Sequence, residues 1–196
     1  MHADLRVAVV LGSTREGRFA PVVADWLMDR IAGHGGLKGD LVDLVETPLP
    51  TVLPVLGQPP SSAADRELLE AVSPRLAEAD AFVLVTPEYN RSFPAALKNA
   101  LDWHHREWHA KPVGFVSYGG FSAGHRAVEQ LRPVLSELHA VTIRDSVGLQ
   151  SAWTQFDDAG RPKDPAVDGA ARTMLDQLTW WALALRDARS VRPYTV

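Results

Sequence analysis

The sequence of 196 residues contains no cysteine. Disulfides, thiolate nucleophiles and cysteine-ligated zinc or iron–sulfur clusters are thereby excluded, and nothing marks a secreted disulfide scaffold. No apolar run approaches the roughly 20 residues that a membrane helix needs. Positive charge is not in excess: the formal net charge is −4. That speaks against non-specific nucleic-acid binding, because phosphate backbones call for a basic surface. Met1-His2-Ala3-Asp4 leads straight into an apolar strand, with no basic segment ahead of a signal core, so neither membrane nor export is expected and the cytoplasm is. There is no internal repeat, low-complexity tract or linker. The length suits one domain over residues 1–196, and 46% hydrophobic residues suit a substantial core rather than disorder.

Short apolar runs alternate with stretches of helical period. Leu5 to Leu11, Ala81 to Val85 and Val113 to Val116 are nearly continuous apolar runs, as expected of strands buried on both faces of a parallel sheet. Leu37 to Val45 is interrupted by Asp40 and Asp43, which places it at an edge, and Ala140 to Ile143 is a shorter fifth candidate. Phe19, Val22, Val23, Trp26, Leu27 and Ile31 recur at helical spacing, as do Ala127, Val128, Leu131, Val134, Leu135 and Leu138. A C-terminal set runs from Val167 to Leu185, and residues 62–79 and 94–104 supply two more helices. Pro74 and Pro133 are expected to kink or shorten theirs. Residues 46–61, with five prolines at 48, 50, 54, 59 and 60, and residues 151–165 are expected to be loops. The pattern predicts an α/β fold: a doubly wound, five-stranded parallel sheet in strand order 2-1-3-4-5.

Ligands of such sheets sit beyond the carboxyl ends of the strands, where the strand order reverses. In this order that point lies between strands one and three, and both are followed by polar loops. After the first strand comes Gly12-Ser13-Thr14-Arg15-Glu16-Gly17-Arg18. A helix N-terminus offers free amides and a positive dipole end, the hydroxyls of Ser13 and Thr14 add donors, and Arg15 and Arg18 add guanidinium forks suited to phosphate. The loop has neither the Walker A spacing with its lysine nor G-x-G-x-x-G, which argues against triphosphate and dinucleotide chemistry. The plainer alternative is a turn with two solvated arginines.

After the third strand comes Thr86-Pro87-Glu88-Tyr89-Asn90-Arg91-Ser92-Phe93-Pro94. Tyr89 and Phe93 offer aromatic contact to a planar ring, Asn90 meets a polar edge, and Pro94 suits the first helical position. After the fourth strand comes Ser117-Tyr118-Gly119-Gly120-Phe121-Ser122-Ala123-Gly124, whose glycines let backbone approach a ligand. Each of these two loops also reads as an ordinary turn.

In four blocks the sequence resembles the NADPH-dependent FMN reductases of the flavodoxin-like superfamily, which include azo, quinone and chromate reductases. The blocks are Gly12-Ser13-Thr14-Arg15, Pro87-Glu88-Tyr89-Asn90, Pro94 with Leu97-Lys98-Asn99-Ala100-Leu101-Asp102-Trp103, and Ser117-Tyr118-Gly119-Gly120 with Gly124. The resemblance implies a flavodoxin-like domain. It implies that Ser13, Arg15 and Arg18 hold the phosphate of FMN, with amides of Phe19 and Ala20. Pro87, Glu88, Tyr89 and Asn90 would line the isoalloxazine, and Ser117, Gly119 and Gly120 would lie near its pyrimidine edge. It further implies a homodimer or a dimer of dimers. Trp103, Trp108 and the C-terminal helix are candidate surfaces for such contacts. Arg18 and Arg91 depart from the family pattern, which commonly carries a hydroxyl residue near the first position and histidine or a small residue at the second.

The expected activity is hydride transfer from NADPH or NADH to FMN, followed by reduction of a small acceptor: a quinone, an azo compound, a metal oxyanion or free flavin. The alternatives are a flavodoxin-type electron carrier and a flavin-binding partner protein without a nicotinamide site. The flavin carries the chemistry, so no side chain is expected to act as nucleophile. Glu88 is better suited to a structural role than to that of a general base. His105 and His109 would share a helix face, with His104 beside them, yet a pair of histidines falls short of a metal ligand set; no metal is expected. Trp153 and Phe156 are candidates to cover a neighbouring subunit's flavin.

Overall fold

The structure, a computed structural model, describes residues 4–55 and 58–195. Leu56 and Gly57, inside the expected 46–61 loop, and the first three residues lie outside that set. In chain order the elements are β1 Leu5–Leu11, α1 Ala20–His34, β2 Leu37–Asp43, α2 Ala63–Glu78, β3 Ala81–Pro87, α3 Ala95–Trp103, β4 Pro112–Gly119, α4 His125–Glu137, β5 Val141–Thr142, β6 Val147–Gln150, α5 Ala152–Gln155 and α6 Pro165–Val191. A single 3₁₀ turn, Arg106–Trp108, follows α3.

All strands are parallel and the sheet order is β2-β1-β3-β4-β5, as the pattern predicts. The fifth position is divided. β5 pairs with Pro112 and Val113, and β6 pairs with residues 116–119 of the same strand β4. The sequence reading missed β6, although Val147 and Leu149 are buried and alternate with exposed Gly148 and Gln150. Four residues at period two are too short a signal to separate from a loop.

Strand alternation sorts the core onto two faces. Val7, Val9 and Leu11 of β1, Val83 and Val85 of β3, and Val116 and Tyr118 of β4 face the cluster formed with α1 and α6. Ala8, Val10, Phe82, Leu84, Val113 and Phe115 face the cluster formed with α2, α3 and α4. Trp108, expected at a surface, is 1% exposed and packs on Phe82 at 4.4 Å between ring centroids. Neither Pro74 nor Pro133 ends its helix; each lies inside, with four further residues after it. Both are exposed, as are Glu70 and Glu129 one turn earlier, so water can satisfy the carbonyls that each proline leaves without a donor. Among the described residues no helix is long and apolar enough to cross a membrane.

Candidate functional site

The loops after β1, β3 and β4 come together on one rim. The ladder between β1 and β3 continues into the first loop, where the Gly12 amide donates to the Val85 carbonyl at 2.9 Å. A Cβ on Gly12 would lie 3.0 Å from the Leu97 side chain, so glycine lets α3 close against the loop. Ser13 is buried, and its hydroxyl is 2.8 Å from the Tyr89 phenol, which joins the first loop to the second. Arg15 is exposed, with its guanidinium 5.3 Å from the centre of the Tyr89 ring. Among the described residues the Arg15 guanidinium has no hydrogen-bond or ion-pair partner. The amides of residues 13–17, 19 and 20 are likewise unpaired among those residues. α1 begins without a side-chain cap, leaving its positive end open.

Arg18 is differently engaged. Its guanidinium grips both carboxylate oxygens of Asp43, at 2.6 and 2.5 Å, and donates to the Ser13 carbonyl at 2.7 Å. Burial pushes the Asp43 carboxyl up, but hydrogen bonds from Arg18 and the Val45 amide outweigh it and hold the group below its ordinary value. Arg18 thus anchors the loop to the end of β2, and its charge is already matched. Nothing in the motif itself signals Asp43. The sequence marks it only as a polar break in an edge strand.

The second loop is a two-residue turn. Tyr89 and Ser92 exchange backbone bonds of 2.8 and 3.0 Å across Asn90 and Arg91, whose φ angles are 49° and 69°. Two successive left-handed residues are the requirement of a type I′ turn, normally met by glycine or asparagine; an arginine there costs on the order of 1 kcal/mol. Gln130 of α4 holds this turn, donating to the Arg91 carbonyl and accepting from the Ser92 hydroxyl, both at 2.7 Å.

Glu88 is turned toward the third loop and the start of α4. Its carboxylate accepts from the Ser122 hydroxyl at 2.5 Å and from the Arg126 amide at 3.1 Å, with the Arg126 guanidinium at 3.4 Å. It therefore caps α4 from another loop, where the helix's own cap residue, Gly124, has no side chain to offer. Burial raises the carboxyl, and the Ser122 and Arg126 contacts more than reverse the effect, so Glu88 is an anion at neutral pH. These contacts give Glu88 a structural role. After the third rim strand the Ser117 hydroxyl is spent on the Ala123 carbonyl at 2.9 Å, and its backbone runs inside β4 between β3 and β6, so Ser117, fully buried, supports the rim and is not offered to a ligand as the sequence suggested. Gly124 has φ 83°, and a Cβ there would lie 2.7 Å from the Tyr118 nitrogen. Only glycine fits.

The geometry describes an anion cradle beside a backbone-lined aromatic rim. A profile described as NADPH-dependent FMN reductase matches residues 5–154. The chain belongs to the NADPH-dependent FMN reductase family. Membership makes it an oxidoreductase that works with FMN and NAD(P)H. An NAD(P)H-dependent FMN reductase of Schizosaccharomyces pombe is 38% identical over 133 residues, covering 66% of this chain and 64% of the relative. An NADPH:quinone oxidoreductase of Arabidopsis thaliana is 35% identical over 190 residues, covering 93% and 94%. The fold matches that of a flavoenzyme NAD(P)H:(acceptor) oxidoreductase from Paracoccus denitrificans with a TM-score of 0.76 over 92% of this chain and 98% of that one, at 24% identity.

The family's cofactor fits the residues present. A phosphate monoester needs several donors and one uncommitted cation, and this reductase offers open amides at a helix start together with the unpaired Arg15. Ala20 is fully buried, so only its amide is on offer at the helix start. Phe93 packs partly against the core, and Pro94 caps α3 rather than opening it, since the helix begins at Ala95.

The other sequence candidates lie apart from the rim. His104 is buried, bonded to Ala100 O at 2.8 Å and to Ser73 at 3.0 Å, and ties α3 to α2. Because α3 ends at Trp103, His105 and His109 do not share a helix face; His109 instead packs on His139 and Tyr194. Among the described residues no group of three or more His, Asp or Glu side chains could hold a metal. Phe156 belongs to the core, edge-on to Phe19 and Trp26, and does not project to cover a neighbour's flavin.

Proposed function

We propose that this reductase takes electrons from NADPH or NADH and delivers them to a small acceptor, with quinones as the leading class. Relatives carrying the names NADPH:quinone oxidoreductase and 2-hydroxy-1,4-benzoquinone reductase favour that class over azo compounds, metal oxyanions and free flavin. The observation that carries the reading is the meeting of three strand-end loops at one rim, with Arg15 uncommitted beside open amides. Bound FMN would supply the hydride acceptance and the onward electron transfer.

The chain's own residues bind and orient. Arg15, Ser13 and the amides of Phe19 and Ala20 hold the phosphate, and Arg18 acts through the Ser13 carbonyl it grips. Pro87, Tyr89 and Asn90 line the ring with the backbone of Glu88, and the backbone of Gly119 and Gly120 meets the pyrimidine edge, with buried Ser117 supporting them from β4. The Glu88 carboxylate locks the second loop to the third. Such positioning accounts for rate without a nucleophile or a proton-abstracting side chain.

The working unit is one FMN-binding domain in a cytoplasmic homodimer or dimer of dimers. Trp180 and Trp153, 63% and 59% exposed, support an assembly surface; Trp103 donates to the Pro50 carbonyl at 2.7 Å and sits beside exposed Val52 and Val55. Mass spectrometry of heat-released ligand is expected to find FMN, with FAD as the main species overturning the reading. Steady-state NADPH oxidation should rise on addition of a quinone. A bound flavin without such turnover would mean an electron carrier instead.

A further inference from the structure

Tyr118 carries a buried phenol at the rim that faces the Ser13 hydroxyl without closing a well-formed hydrogen bond to any described residue. The residue is 6% exposed, and its hydroxyl has no hydrogen-bond partner among the described residues. A buried, unmatched hydroxyl costs about 1–3 kcal/mol, so its position calls for an explanation. Tyr118 is the penultimate residue of β4 and faces the cluster formed with α1. The polar groups that act on it are the Ser13 hydroxyl, the Tyr89 phenol and the Arg18 guanidinium. Burial, the largest influence, pushes its own ionisation far up, so it is a neutral donor at any working pH. Ser13 itself is 1% exposed and bonded to Tyr89.

A serine hydroxyl has one proton to donate and two lone pairs to receive. A phosphate dianion accepts and has no proton to donate. For Ser13 to serve a phosphate, its proton must point at the ligand and its lone pairs must be filled from behind. Tyr89 can fill one. We propose that Tyr118 fills the other: it is a positioning residue that donates to Ser13 and aims the serine proton at the phosphate of the flavin. The inference rests on the FMN reading above and adds a residue that acts through Ser13 rather than touching the ligand.

The test is a double-mutant cycle on the full chain, with FMN and riboflavin titrated into apoprotein. Tyr118→Phe removes a single oxygen. It is expected to weaken FMN about three- to tenfold, the worth of one neutral hydrogen bond, and to leave riboflavin unchanged. In a Ser13→Ala background the same change should have no effect on FMN, because the group it positions is gone. The melting temperature of the apoprotein should hold or rise, since an unmatched hydroxyl has been removed. Equal losses for both flavins, an undiminished loss in the Ser13→Ala background, or no loss at all would overturn the proposal. If Tyr118→Phe does not fold, 3-fluorotyrosine at 118, a stronger donor of nearly the same shape, should tighten FMN, and unchanged affinity overturns the idea. Failure of the FMN reading looks different: the wild-type apoprotein would then not distinguish FMN from riboflavin.

Discussion

Arg15 and Arg18 stand three residues apart in one motif, yet the structure assigns them opposite consequences on removal. Arg15 is exposed and, among the described residues, its guanidinium touches the face of Tyr89 without a hydrogen-bond or ion-pair partner, a cation–π interaction of about 0.5–1 kcal/mol at an exposed site. Arg15→Ala should therefore leave the melting temperature within about 2–4 °C of wild type for a chain of this size. FMN affinity should fall by about one to two decades, since a charge-assisted bond contributes roughly 1.5–3 kcal/mol. Riboflavin, which lacks the phosphate, should bind both proteins alike, and Arg15→Lys should recover only part of the loss because an ammonium has no planar fork. Arg18 is paired two-to-two with Asp43, with side chains 14% and 11% exposed. Breaking a buried pair costs about 3–5 kcal/mol. This pair lies near the surface, so about 2–4 kcal/mol is the better figure, or a drop of about 4–16 °C in melting temperature. Arg18→Ala should weaken FMN and riboflavin together, because the loop itself loosens. Differential scanning fluorimetry and flavin-fluorescence titration on both variants decide the matter. A destabilised Arg15→Ala, equal losses of the two flavins there, or an Arg18→Ala protein that is stable and defective for FMN alone would refute the assignment of the free cation.

The remaining expectations concern the scaffold. Asp40, Asp43 and Glu88 are all held below their ordinary values of 3.8, 3.8 and 4.5, so their stabilisation is complete above about pH 4.5 and is lost as pH falls through the folded values; urea midpoints from pH 6 to pH 3 should decline, less steeply for Asp43→Asn than for wild type. Glu88→Ala removes the cap of α4 and should cost about 1–2 kcal/mol, read as a lower urea midpoint, while a general-base role would instead show as lost turnover at unchanged stability. Gly124→Ala places a Cβ 2.7 Å from the Tyr118 backbone nitrogen at a φ of 83° and should destabilise by more than about 1 kcal/mol, again by urea midpoint. Trp108→Ala should cost about 3–5 kcal/mol by cavity formation without changing oligomeric state by light scattering, since Trp108 is core and not interface.

Much of the fold was written in local pattern. Continuous apolar runs marked β1, β3 and β4 as buried on both faces, and the aspartates of β2 marked it as an edge; those signals are local because burial on two faces leaves no room for polar alternation. The three rim loops were legible for the same reason, since each directly follows a strand. What the sequence could not state is which partner each side chain finds. Arg15 and Arg18 are chemically identical, and only the arrival of β2 beside α1 brings Asp43 to one of them. Glu88 looks like any loop carboxylate until α4 presents its open amides to it. Trp108 reads as surface until it meets Phe82, which lies 26 residues earlier in β3. Composition and periodicity determined the strand order and the layers, though not the division of the fifth position between β5 and β6. Charge pairing, capping and the orphaned Tyr118 hydroxyl were decided by tertiary contact, because an ion pair or a hydrogen bond depends on ångström-scale approach between segments whose separation along the chain carries no record of it.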